Sequence, residues 1–156
     1  MILISHRGNI EGADTWLENT PNYIDNAIAL GYQVEVDVWG EDGVLWLGHD
    51  RPMYKITPEW LDQRGDVLWL HCKNVHALSI LMQDFPWIRY FLHNKDPYAM
   101  VNLGYIWCYP SAPPPVSKGI IVLPETWLSK EETSSYVSSH HAEGICSDYI
   151  ARYQNI

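Results

Sequence analysis

Seven short segments rich in Ile, Val, Leu, Tyr and Trp recur along the chain, at residues 2–5, 33–38, 67–71, 88–92, 105–108, 119–123 and 144–147. Their spacing limits the fold more than any other feature, because each has the length and the side chains of a buried strand. Helical signals lie between several of them. Thr20 can cap a helix over residues 21–30, with Pro21 at its first position and Gly31 just past its end. Asn74 can cap residues 75–84, and Ser129 with Glu132 three residues on matches a capping box ahead of residues 130–138. Residues 96–102 read as a short helix with Gly104 beyond it. This alternation predicts an α/β domain built on a parallel sheet or a (β/α) barrel. Two segments interrupt it. Residues 40–48 read as a turn, Glu41-Asp42-Gly43, followed by a strand at 44–47. The segment "YPSAPPPVSK", residues 109–118, cannot be helical, because its four prolines remove donors and clash with the preceding turn. It reads as a stiff loop joining two strands, the other reading being a PxxP ligand.

At 156 residues the chain is one domain, residues 1–156, and at 47% hydrophobic and 19% charged it folds rather than staying disordered. A net charge of −9 argues against a nucleic-acid or anionic-membrane surface, which needs clustered Lys and Arg. A small anionic substrate stays compatible with it, since one cation and two basic side chains reverse the potential inside a cleft. No apolar run approaches the ~20 residues of a membrane helix, so no integral membrane association is expected. Met1 leads into a strand-like segment without a basic leader. Cys72, Cys108 and Cys146 are odd in number, far apart and set in apolar stretches, which reads as buried reduced thiols in a cytoplasmic protein.

The chemistry gathers in the first fifty residues. In "VEVDVW", residues 34–39, strand periodicity puts Glu35 and Asp37 on one face about 7 Å apart, and Val34, Val36 and Val38 on the other. Two carboxylates so placed repel one another unless a cation lies between them; the competing reading is an edge strand with its acids in water. His6 ends the first strand and His49 ends the stretch "WLGHD". Two strand-end histidines flanking an acidic pair are what proton transfer at neutral pH asks for. Asp50 either orients His49 or caps the following turn.

Taken in order, His6-Arg7-Gly8, Glu18-Asn19-Thr20, Glu35-x-Asp37, Asp42-Gly43 and His49-Asp50 resemble the opening of the glycerophosphodiester phosphodiesterase family, among the phospholipase-C-like phosphodiesterase barrels. The likeness covers roughly the first third of the chain, with weaker echoes at "LHCK" (70–73) and "GICSDY" (144–149). It implies a compact (β/α) TIM-type barrel. Because 156 residues fall short of the ~250 usual for eight βα units, helices must be missing or shortened, and fewer than eight strands would do. It also implies a phosphoric diester hydrolase acting on a small-molecule phosphodiester beside a free hydroxyl, which can attack first and leave a cyclic phosphate. His6 and His49 would be the acid–base pair, Arg7 and Lys73 the phosphate-binding cations, and Glu35 and Asp37 ligands of one divalent cation, Mg²⁺ or Ca²⁺. Glu18 would lie close by as a supporting group. The family's third acidic ligand is His71 here. If His71 ligates, its nitrogen favours Mn²⁺, Zn²⁺ or similar ions; if it does not, the metal is weakly held. The alternative function is a phosphate- or metal-binding barrel without turnover. Trp39, on the face of Asp37, is either a wall for the substrate or a packing residue.

Overall fold

The computed structural model describes residues 1–115 and 117–156; Val116, inside the proline segment, lies outside them. The chain opens with β1 (Ile2–His6), α1 (Pro21–Ala29), β2 (Gln33–Glu41), β3 (Val44–Leu47) and β4 (Tyr54–Lys55). There follow α2 (Pro58–Asp62), β5 (Leu68–Cys72), α3 (Val75–Asp84) and β6 (Arg89–Leu92). The last third holds β7 (Tyr98–Val101), β8 (Tyr105–Cys108), β9 (Gly119–Val122), α4 (Lys130–His140) and β10 (Gly144–Ser147), with 3-10 turns at Pro124–Thr126 and Ile150–Tyr153. Helix starts follow local chemistry. The side chains of Thr20, Thr57 and Asn74 accept from Tyr23 N, Trp60 N and Ala77 N, and Ser129 and Glu132 form a capping box.

The ten strands make one curled sheet. Parallel pairing runs in the order β6, β5, β2, β1, β10, β9, β8. β7 is antiparallel to β8, and β3 and β4 extend antiparallel from the far half of β2. Period two then sorts the side chains. Ile4, Trp69, Phe91, Val101, Trp107, Ile120 and Cys146 fill the inside of the curl. Val34, Val36, Val38, Leu68 and Leu70 face outward under Ile24, Ala77 and Leu81 of α1 and α3. Ile121 and Ile145 face outward on the other flank, beneath Val137, Ile150 and Tyr153. Each interior ring hides about 150–250 Å², roughly 4–6 kcal/mol at ~25 cal/mol/Å² as an upper bound. Large rings therefore hold an interior that few helices cover.

The expected compact (β/α) TIM-type barrel is overturned. The sheet is mixed and its two ends, β6 and β7, share no strand ladder, with four α-helices among the described residues and no ring of βα units. Alternation breaks after β6 and returns only at β9–α4–β10. The helix expected over residues 96–102 is instead β7, where exposed Tyr98 and Met100 alternate with buried Ala99 and Val101. Gly104, at φ +86°, belongs to the turn of the β7–β8 hairpin rather than to a helix end. The proline segment then joins the parallel neighbours β8 and β9, and its described residues hold no helix.

Candidate active site

Strand alternation carries Glu35 and Asp37 of β2, His71 of β5 and His6 of β1 to the inside of the curl, at its C-terminal rim. The register fixes the set: His6 pairs with Glu35, and Asp37 with His71. After His6 the backbone turns through Arg7 at φ +57° and Gly8 at φ +95°. A side chain on Gly8 would lie 2.6 Å from the Tyr23 ring, so glycine is required there. Asn19, also left-handed at φ +61°, brings the next loop back over the strand ends.

Asp37 is fully buried at the centre. Asn19 Nδ2 donates to its carboxylate at 3.0 Å, and His71 Nδ1 lies 3.0 Å and Lys73 Nζ 3.3 Å from it. Arg7 Nε sits 3.0 Å away but off the hydrogen-bond axis, which makes that contact ionic. Burial alone would raise the Asp37 pKa. The bond to His71 and the charges of Arg7 and Lys73 outweigh it and hold the carboxyl well below the usual range. Glu35 is the contrast. It is 2% exposed, its oxygens lie 3.8 Å from His6 Nε2 and from His71 Nδ1, and Oε2 has no hydrogen-bond partner. Burial, and then the charge of Asp37, push its pKa up.

His6 donates from Nδ1 to Asp148 Oδ1 at 2.7 Å, because an ionised carboxylate only accepts. Its Nε2 is left facing Glu35 and the cavity. Asn9 Nδ2 ties the assembly together, donating to Asp148 at 2.8 Å and to Glu18 at 2.9 Å. Glu18 also accepts from Arg7 Nη1 at 3.1 Å, so it orients the guanidinium. His6, Arg7, Glu35 and His71 line a cavity of about 120 Å³. A larger groove of about 660 Å³ between β3, α2 and α3 carries no histidine, and its charges are the dispersed Lys55, Glu59, Asp62 and Asp84.

Single ligand atoms of Glu35, Asp37 and His71 lie within 4.8 Å of one another. Two oxygens and an imidazole nitrogen suit a borderline divalent cation, and the unpartnered buried oxygen of Glu35 fits a group that such an ion would complete. Other expected residues stand elsewhere. His49 is 42% exposed and pairs through Nδ1 with the exposed Asp50 at 2.7 Å, outside the cavity lining. Its segment is still tied to the site, since Gly48 N donates to the Asp37 carbonyl. Trp39 does not line the cavity; its indole N–H donates to the Gly48 carbonyl at 2.7 Å. Asn9 and His93 join the site although sequence reasoning assigns neither a role, and Asn19 and Asp148, inside the motifs Glu18-Asn19-Thr20 and "GICSDY", join it without a role assigned to them there. For His93 a signal existed: it follows the apolar run "YFL" as His6 follows "ILIS". No protein-family model matches the chain, and no curated protein matches it.

Proposed function

We propose that the protein is a divalent-metal-dependent phosphodiesterase acting on esters with a hydroxyl beside the phosphate, glycerophosphodiesters or close analogues. The observation that supports this most is Glu35: a buried carboxylate oxygen without a partner, between a histidine held by an aspartate and a second carboxylate. A cation held by Glu35, Asp37 and His71 would supply Lewis-acid charge at the phosphoryl oxygens. The protein's own groups do the rest. Arg7, oriented by Glu18, presents a planar donor to the phosphate, and Lys73 adds positive charge beside it. His6, pinned by Asp148, keeps Nε2 available. It takes the proton from the attacking hydroxyl and returns it to the departing alkoxide, so one imidazole balances the cyclising step. The motif resemblance implies His49 as a second carrier, but it stands outside the cavity lining, and the cyclising step needs only His6.

The four partners of Asp37 support a second reading, a phosphate- or cation-binding module without turnover. Metal-stripped protein assayed on glycerophosphocholine, glycerophosphoethanolamine and a chromogenic diester with Mg²⁺, Ca²⁺, Mn²⁺ or Zn²⁺ separates the two. Turnover with at least one ion, abolished in His6→Ala and Glu35→Gln, is expected, and His71→Glu should move the preference toward Mg²⁺ or Ca²⁺. Saturable Mn²⁺ binding without turnover would favour the module. Neither binding nor turnover would remove both readings.

A further inference from the structure

The small cavity has two unlike sets of lining residues. Besides His6, Arg7, Glu35 and His71 its lining is Phe91, Trp107, Tyr109, Pro110, Val122 and Leu123, together with His93. None of these carries a carboxylate, an ammonium or a guanidinium. The aromatic surface begins at the cation-binding group itself. The His71 ring stacks on Phe91 at 5.0 Å and 5°, and Phe91 on Trp107 at 4.7 Å and 29°. Phe91, Trp107 and Val122 belong to the interior cluster and would be buried whatever the function. Tyr109, Pro110 and His93 do not belong to it. Of these, Tyr109 is 43% exposed, and its ring lies 4.1 Å from that of His93, tilted 30° to it. His93 Nε2 is directed at the Asp96 carbonyl, which fixes the plane of its ring. A core-packing role accounts for Phe91, Trp107 and Val122 but not for an exposed tyrosine set against a histidine of the same lining.

A polyol laid on this surface would lose its water partners and find few replacements, an expensive exchange for each hydroxyl. Hydrocarbon or an arene would exchange water for ring contacts. Resting on the phosphodiesterase reading, we infer that one alcohol of the diester is an uncharged apolar group, alkyl or aryl, seated against the Phe91–Trp107 rings and the tilted His93–Tyr109 pair. The free hydroxyl then belongs to the other alcohol. The wall of the substrate site is thus formed by the end of β6 and the start of the proline segment, and not by Trp39.

Binding without turnover tests this separately from catalysis. Calorimetric titration in the presence of Mn²⁺ compares inorganic phosphate, glycerol 3-phosphate, phosphocholine, benzyl phosphate and hexyl phosphate. The apolar esters should bind about tenfold more tightly than glycerol 3-phosphate, the scale of one good ring contact. Tyr109→Ala should erase that margin while leaving inorganic phosphate binding unchanged, and Tyr109→Phe should retain it. Tyr109 is exposed enough for these variants to fold, and Trp16→Ala, at an 89% exposed position away from the lining, serves as the control. A preference for benzyl over hexyl assigns ring stacking, and equality assigns simple apolar burial. Inorganic phosphate bound with glycerol 3-phosphate equal to the apolar esters overturns the inference and leaves the phosphate reading standing. Phosphocholine binding most tightly overturns the uncharged assignment, and binding of no phosphate species overturns both readings.

Discussion

His6 and Asp148 set each other's charge. Burial pushes the His6 imidazole down, but the hydrogen bond to Asp148 and the charge of Glu35 outweigh it and leave the pKa above the ordinary 6.5. Burial pushes Asp148 up, and the bond from His6 more than reverses that, leaving it below the ordinary 3.8. The histidine's share of stability is therefore fully present below pH 6.5 and is lost as pH rises through its raised folded value. The aspartate's share is fully present above pH 3.8 and is lost as pH falls through its lowered folded value. Both act between those limits. Asp148→Asn should cost about 2 kcal/mol there, and urea titrations should show the gap to wild type narrowing as pH rises past 6.5 and through the raised His6 value. A gap that is constant across that range would show that the pair does not titrate as a unit. Glu35 and Asp37 are legible in the sequence, because alternation along a strand decides which side chains share a face, and His6 and Arg7 because they end the first apolar run and open the motif series. Asp148 is not. It meets His6 across 142 residues of chain, and no local pattern encodes the pairing of β1 with β10. Asn9 and Asn19 depend on left-handed turns that the sequence alone does not announce.

Among the elements, β2 carries the largest share of the architecture. It pairs with β1, β5 and β3, and α3 is fastened to it by Asn74. That side chain caps Ala77 N, accepts from Gly40 N at 3.0 Å and donates to the Gly40 carbonyl at 3.1 Å. Contact is so close that a methyl group on Gly40 would lie 2.6 Å from the His76 carbonyl carbon and nearer still to Ala77 N. The obstacle is backbone, which cannot rotate aside. Gly40→Ala should therefore cost about 3 kcal/mol, read as a lowered denaturation midpoint, and an unchanged midpoint would mean that α3 is free to shift. Helix starts are legible because caps are local: Thr20, Asn74 and Ser129 do what their neighbours in sequence predict. β7 is not, since four residues bounded by Pro97 and Gly104 satisfy helix and hairpin signals alike. Pairing with β8, a tertiary choice, decides it.

For the molecule as a whole, the alternation of strand and helix predicts a parallel sheet or a (β/α) barrel, and the chain departs from it between β6 and β9, where helical crossovers are interrupted. Beyond β6 a hairpin and a proline loop take over, so the curl must be finished by other means. Its packing is tight enough to silence the thiols. Burial lifts Cys72 to about 12 and Cys108 to about 11, and raises Cys146 well above the ordinary value. The native protein should therefore ignore a thiol reagent at pH 8 that labels all three cysteines once it is denatured; rapid native labelling would show that the curl opens. The place to look for such opening is the seam between β6 and β7. No strand ladder joins them, yet the Asn102 amide N–H donates to the Tyr90 carbonyl at 3.1 Å, and its side-chain oxygen accepts from Tyr90 N at 2.9 Å. Its Nδ2 reaches the carbonyls of Pro86 and Ile88. One asparagine thus imitates a strand pair across the two ends of the sheet. Asn102→Ala strips the side-chain half of that bridge and leaves the Tyr90 amide without its acceptor, a loss of about 2 kcal/mol. Hydrogen exchange at Tyr90 should accelerate more than at Val36, in the centre of β2, because the seam would open before the sheet unfolds. Equal acceleration at both sites would mean that the ends are held by the interior rings, Trp69, Phe91 and Trp107, and that Asn102 merely fills the gap between them.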